Sequence, residues 1–552
     1  MPMSNGEPCG RSSPGPVLDG ISYCLMHTPA DKDDAAFQRE FERILDEAGT
    51  GVADFTRFVF PSANYAGREF KADCVFFYAT FAQEADFTGA TFTRYVTFIG
   101  AVFVQDARFG GFVTFMQDAV FRDATFMQTA SFGLATFMQK AVFTGATFTG
   151  MASFDAKFAH GASFDVATFT EIAYFAGAVF TRNIDFNQAA FAQSAYFQSA
   201  TFEQNAGFIG ATFTEGAYFI GATFTQEANF TRTKFTKFAH FGAAKFLGAA
   251  AFRETKFRED GQARPGPVFS LAEFSRPKAI VFYKTYLGQA LFHNCDLSKL
   301  TFSSVEWRRR KNGGKRMVFE EVAALDKVPA PNELVALTDD TTWALQPKEG
   351  NPDERDYVLI AELYQQLKKN YDERKDYWTA GDFHYGEMEM KRLHSQRTNR
   401  LARWLHQSMG LVAWYKYASQ FGESYMRPAA MLLVVLAIFT LLFPWAGLDR
   451  NEDAPHSAAL ASQQTPPPAA ISELSYRHFN DFVRAHPGRK WVGSAAFVGN
   501  SLMTALSVAG FQKELKYEPR YPLGRALALL ELLLTSTLVA LFLLAVRRQF
   551  KR

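Results

Sequence analysis

From Phe81 to Phe257 a Phe returns every five or six residues, 33 times in all, with steps that alternate 6 and 5. The period is therefore eleven residues. Ala stands two positions before 28 of these Phe, and Thr, Gln, Asp and Lys occupy the positions between. The unit reads A-x-F-x-G-A-x-F-x-x-x, as from Ala211 to Phe224. A step of 6 from Phe109 to Phe115 and a step of 4 from Phe154 to Phe158 are slips that cancel. An eleven-residue period also suits a right-handed coiled coil. On a helix, however, positions five apart lie roughly 140° from each other, so the two Phe rows share no seam. Gly, Thr, Phe and Val also disfavour helix. A continuous strand fails because an odd step puts successive Phe on opposite faces. What remains is a chain that turns through a right angle after every Phe, so that every Phe points inward. Four sides then close one coil of 22 residues, with the small Ala also pointing inward beside each corner. Coils stacked at roughly 4.8 Å make a rod of about 40 Å between Phe81 and Phe257. Its interior is ladders of Phe rings, stabilised mainly by burial.

This register resembles the pentapeptide-repeat family, which implies a right-handed four-sided β-helix. After an insertion at Arg258–Val268 a plainer five-step register runs through Phe282, Leu287, Phe292, Leu297, Phe302 and Trp307. There Cys295-Asp-Leu-Ser-Lys is close to the family's A-D-L-x-x unit. Upstream, Phe55, Phe60, Tyr65, Phe70 and Phe76 extend the series, so the solenoid is assigned to 52–310. The expected fold class is mixed β and membrane α: the β-helix, a helical neck, and two transmembrane helices with a re-entrant pore-helix candidate. The remaining boundaries are 1–51 for an N-terminal cap, 311–427 for linker and neck, and 428–552 for a two-span membrane module.

Charge narrows the choice of partner. The chain of 552 residues carries a net charge of +2, and residues 71–258 hold 14 Lys/Arg against 14 Asp/Glu. Some members of the resembled family are acidic rods that mimic DNA; a neutral rod argues against that role, and no nucleic-acid partner is expected. A scaffold presenting a surface to a cytoplasmic protein is the simpler reading.

Four cysteines in 552 residues exclude a disulfide scaffold and fit a reducing compartment. Cys24-Leu-Met-His27 has the spacing of a zinc-ligand pair, and Cys9 supplies a third candidate for a structural zinc at the N-terminus. The alternative is free thiols and a surface His. No basic segment followed by an apolar run marks a signal peptide. Residues 31–47 predict a helix, because Phe37, Phe41, Ile44 and Leu45 fall on one face. Such a helix would lie as a lid on the open end of the Phe ladders.

The basic run 308–316 reads as a solvated linker, or as a contact for anionic lipid. From Arg355 to Leu393 a helical hairpin is predicted, with Tyr357, Ile360, Leu363, Leu367 and Tyr371 at helical spacing and a break at Ala380-Gly-Asp382. It resembles a single tetratricopeptide-type hairpin and the neck of bacterial membrane proteins that carry pentapeptide repeats. Asp382, His384, Glu387 and Glu389 suggest a metal cluster, or simply a charged helix face. Residues 429–448 and 526–546 are each long and apolar enough to span a bilayer. Arg403, Lys416 and Arg427 before the first span, and Arg547, Arg548, Lys551 and Arg552 after the second, put both termini in the cytoplasm of an inner-membrane protein.

Between the spans, Trp491 to Phe511 is a shorter apolar stretch. Span, half-length helix, loop, span is the order of a re-entrant pore, and it resembles the pore module of two-span potassium channels. That resemblance puts the filter at Ser507, Val508, Ala509, Gly510, Phe511 and Gln512, with Thr504 just before it. Gly510 and Phe511 match the family's T-x-G-[YF]-G. Gln512 replaces the second glycine, whose positive φ turns successive carbonyls to the pore axis. Lys513 replaces the acid that often follows. Potassium selectivity therefore does not carry over. Glu531, inside the second span, either snorkels to the interface or faces a pore or partner. No nucleophile–base pair, phosphate loop or complete metal set points to an enzyme. The leading expectation is an oligomeric, channel-like membrane protein, a tetramer if it forms a pore, with a cytoplasmic sensing rod. The rival is a membrane-anchored scaffold that conducts nothing.

Overall fold

The computed structural model describes residues 17–18, 21–22, 24–28, 32–257, 266–311, 314–325, 357–394, 399–450, 473–510, 517–519 and 521–550. Cys9, most of the 258–268 insertion, Phe511 and Gln512 lie outside them. The chain divides into two compact units, Met1–Arg374 and Lys375–Arg552.

The first unit is the expected β-solenoid. Its short strands pair in parallel with the strand one coil earlier and one coil later, as Phe103 pairs with Phe81 and with Phe126. Four sheets result. Among the described residues the first side has 12 strands, from Val52–Asp54 to Thr301–Ser303, and the second has 9, from Val59–Phe60 to Lys234–Phe235. The third runs from Ala63–Asn64 to Pro267–Val268, and the fourth from Glu69–Phe70 to Glu273–Phe274. Each Phe stacks on its counterpart in the next coil. Along the second side, Phe103, Phe126, Phe148 and Phe169 follow at 4.7 to 4.8 Å between ring centroids, with planes within 4°. Ladders of opposite sides meet edge to face across the core, as Phe121 meets Phe132 at 5.4 Å and 84°. Both are the arrangements the aromatic quadrupole favours.

The alternation of 5 and 6 has a backbone cause. Five-residue steps follow the Phe of the first and third sides, and there the residue two beyond the Phe takes positive φ: Tyr78 (54°), Gly89 (68°), Gly100 (63°), Asp123 (55°). The next residue donates back to the Phe carbonyl, as Ala90 N does to Phe87 O at 2.9 Å. This is a type II turn, which explains the Gly of the repeat unit. The long step at Phe109 is absorbed at one such corner, where Gly111 and Phe112 both take positive φ and Phe112 is left 74% exposed.

Helices close both ends. α1 (Asp34–Ala48) starts at Asp33, whose side chain accepts from Ala36 N, and buries Phe37, Phe41, Ile44 and Leu45. Phe41 lies against Phe55 and Tyr65 with centroids at 4.7 and 4.8 Å, so the helix prolongs the ladders. The opposite cap is built from α2 (Phe319–Leu325) and α3 (Tyr357–Glu373). Asn370 donates to Leu297 O and Leu300 O at 2.9 and 2.8 Å, while Gln366 accepts from Leu297 N at 2.9 Å. These side chains satisfy an edge that no further described strand covers. Tyr371 stacks on Phe302 and accepts from Trp307 Nε1 at 2.9 Å. Behind it, Glu321 is held by Arg310 and Tyr364.

The first helix of the expected neck is thus a solenoid cap. The helix break falls at Arg374–Asp376, where Lys375 has φ 63°, and not at Ala380-Gly-Asp382. Asp376 caps α4 (Tyr377–Leu393) by accepting from Thr379 N, and the helix runs through Gly381.

The second unit continues with α5 (Arg400–Met409), α6 (Leu411–Ser419) and the apolar α7 (Met426–Ala446). α8 (Tyr476–Ala485), α9 (Lys490–Ala509) and the apolar α10 (Pro522–Phe550) follow. A small antiparallel sheet joins Leu448–Arg450 to Glu473–Leu474 and Tyr517–Pro519.

Candidate functional site

α7 and α10 are long and apolar enough to cross a membrane. Outward they show Leu433, Val434, Leu441, Leu529, Leu533 and Leu543, all exposed, while α10 turns Gly524, Glu531, Thr535, Leu538 and Ala545 inward. α9 packs against both. It is 20 residues long, and at 1.5 Å per residue spans about 30 Å, a full rather than a half hydrocarbon thickness. Its buried stripe of Gly493, Phe497, Ser501, Thr504, Ala505 and Val508 is rich in small residues, which let helices approach closely. Phe497, Ala505 and Val508 join Phe439 and Phe443 of α7, with Leu448, Leu474 and Tyr517, in one apolar cluster.

The filter candidates divide on this helix. Thr504 and Val508 face the cluster, and the Thr504 hydroxyl donates to Asn500 O at 2.8 Å. Ser507 and Ala509 are half-buried, and Gly510 is exposed just past the helix end, donating to Leu506 O at 2.9 Å. Ser507, Val508 and Ala509 are therefore helical, with carbonyls directed along the helix axis. Glu531 does not snorkel. It is 0% exposed, and neither carboxylate oxygen has a hydrogen-bond partner. Ser501 Oγ, on the buried stripe of α9, is likewise without a partner. A buried, unpaired carboxylate costs several kcal/mol unless a proton, a cation or water reaches it.

The other candidates resolve differently. Cys24 Sγ lies 3.0 Å from His27 Nδ1, and His27 Nε2 is 3.1 Å from Thr56 O, so this His has a protein partner on each side. Burial raises the Cys24 thiol pKa, but the hydrogen bond and charge of His27 outweigh it and bring it down to about 6. The acidic cluster of α4 is engaged by cations: Glu387 pairs with Lys391 at 2.6 Å, and Glu389 with Arg392 and Lys416 at 2.7 and 2.8 Å. Among the described residues no group of three or more His, Cys, Asp or Glu could hold a metal ion.

The repeat register and the parallel four-sided stacking both bear on the chain's relatives. Residues 186–234 match the family model for pentapeptide repeats, in 9 copies. That stretch of the solenoid is similar to pentapeptide repeats. No curated protein and no solved structure matches the chain.

One feature of the second unit was not read from the sequence. α5 exposes Leu401, Trp404, Leu405 and Met409 along one face, and exposed Leu411 and Trp414 follow on α6. On another side α5 is tied to α4, where Arg392 donates to Gln407 O at 2.5 Å and Gln407 Nε2 to Leu393 O at 2.7 Å. The i, i+3, i+4, i+8 spacing of the four apolar residues carries the signal.

Proposed function

We propose that this chain is a membrane-anchored scaffold, in which α7 and α10 hold a pentapeptide-repeat rod at a bilayer and the rod's outer ladders engage a protein partner. The observation that carries this reading is the exposed apolar surface of α7 and α10, together with the exposed apolar face of α5. An amphipathic helix with Trp on its apolar face and Arg403 and His406 elsewhere suits a membrane interface. The rod supplies what a scaffold needs: parallel ladders of outward side chains on a rigid aromatic core.

A second reading, a pore assembled from several copies and most simply four, is favoured by one observation. Glu531 is an unpaired carboxylate on the buried face of α10, where an ion or proton path would place one. The helical backbone at Ser507–Ala509 weighs the other way, because a carbonyl filter needs extended backbone.

Reconstitution of the full chain into planar bilayers separates the two. The scaffold reading expects no unitary current from protein shown to be inserted and folded. Currents lost on Glu531→Gln or Gly510 substitution would replace it with the pore. Recovery of the protein in the alkali-washed soluble fraction would overturn both.

A further inference from the structure

The outward position before each second-side Phe is uncharged for eight coils: Val59, Thr80, Val102, Thr125, Thr147, Thr168, Ala190 and Thr212. It then becomes Lys234 and, directly opposite in the next coil, Lys256. Among the described parallel rungs between coils this is the one that sets like charges face to face. The rod's other charged rungs oppose signs, as in Arg108 with Asp86 and Lys245 with Glu273. Cross-coil ion pairs do the same, Arg232 with Glu254 at 3.1 Å and Lys237 with Glu215 at 2.6 Å. Like charges directly opposite destabilise a sheet, so a lysine ladder persists at a cost unless something neutralises it.

The place of this rung is also distinctive. The last two-residue strand of the second side is Lys234–Phe235, after which it pairs through single bridges, Lys234 with Lys256 and Tyr286 with Glu306, while the first side keeps strands to Thr301–Ser303. Beside these bridges there is a cleft of about 740 Å³, lined by Lys234, Lys256, Lys284, Thr236, Ser304 and Glu306 among others. Small-molecule sites commonly measure about 300–1,000 Å³. All three lysines are exposed, and none has an ion-pair partner among the described residues. Among the described lining residues Glu306 is the one acid, against three lysines.

We propose that this cleft binds a compact polyanion carrying clustered phosphates, with Lys234, Lys256 and Lys284 as its cationic wall. Lysine ammoniums are mobile point charges that suit phosphate, and the hydroxyls of Thr236 and Ser304 donate to phosphate oxygens. Coils stack at roughly 4.8 Å, so lysines on successive coils can reach neighbouring phosphate groups of one ligand. A soluble polyphosphate and a phosphorylated lipid headgroup share this chemistry.

The test is titration calorimetry on the full chain in detergent, with inorganic tripolyphosphate in one arm and a water-soluble short-chain phosphoinositide bisphosphate in the other. Saturable binding is expected for wild type, weakened at least tenfold in K234Q/K256Q/K284Q. The variant K140Q/R182Q/K245Q, which removes the same charge from other exposed positions, should stay within twofold of wild type. Preference for tripolyphosphate assigns a soluble ligand, and preference for the phosphoinositide a headgroup. Absence of saturable binding, or equal loss in both variants with unchanged thermal unfolding, overturns the proposal.

Discussion

At the residue scale, the ladders make each Phe answerable to its neighbours above and below. Phe148 is fully buried and lies 4.8 Å from both Phe126 and Phe169. Phe148→Ala is expected to cost about 3–5 kcal/mol, because the surrounding rings cannot collapse into the gap without unstacking. Phe148→Leu should cost less, and urea unfolding reads both. Two titrating groups give sharper tests. Burial pushes the Glu320 carboxyl up to about 7 from an ordinary 4.5, against a hydrogen bond from Phe292 N that pulls it down. The native protein then keeps a proton that the unfolded chain has already released. Stability must fall as pH rises from 4.5 to about 7 and level off above. Glu320→Gln keeps the acceptor and removes the charge, so the urea midpoint of that variant should lose this slope between pH 4 and 8. For Cys24, drawn down to about 6 despite its burial, alkylation in a Cys9→Ser background should show a midpoint near that pH. Cys74 and Cys295, which burial pushes up to about 12, should stay inert while the fold is intact.

At the element scale, the caps decide whether the rod ends cleanly. Phe37 and Phe41 cover Phe58, Phe60 and Phe55, which would otherwise meet water beside an open sheet edge. Phe37→Asp with Phe41→Asp is expected to leave the coils folded, by circular dichroism, and to drive end-to-end association seen in light scattering. Unchanged monodispersity would show that α1 is dispensable as a lid. α1 was legible in the sequence because its four apolar residues keep helical spacing within one short segment. The opposite cap was not. Tyr357, Ile360, Leu363, Leu367 and Tyr371 have the right period, but a period names a buried face without naming what buries it. Asn370 and Gln366, polar residues in an apolar stripe, are the visible trace, since they meet the last coil's backbone. The break at Lys375 was missed for a related reason. Ala-Gly is a weak breaker that a packed helix tolerates, whereas a Lys with positive φ leaves no mark on composition.

At the scale of the whole molecule, a repeat of one residue type is the strongest statement a sequence can make about fold. A Phe every five or six residues over 33 repetitions admits one closed arrangement, because period and inward direction must agree at every corner. The two apolar helices were readable for the same reason, since length and composition alone decide whether a helix could span a bilayer. The candidate site was less legible. Thr504 and Val508 turn inward and Gly510 outward because α9 is helical through Ala509, a local choice that packing against α7 and α10 supports. Glu531 was visible as an acid in an apolar helix, but its burial without a partner belongs to the helix face it occupies. The lysine rung at Lys234 and Lys256 needed the register of stacked coils, which sets residues 22 apart in direct opposition. Sequence by itself thus determined the period, the inward Phe, the N-terminal lid and the two long apolar helices, all of which follow from local spacing and hydrophobicity. The tertiary structure alone decided which helix caps the far end, which polar groups lose water, and which charges face each other, because these depend on contacts between positions far apart in the chain.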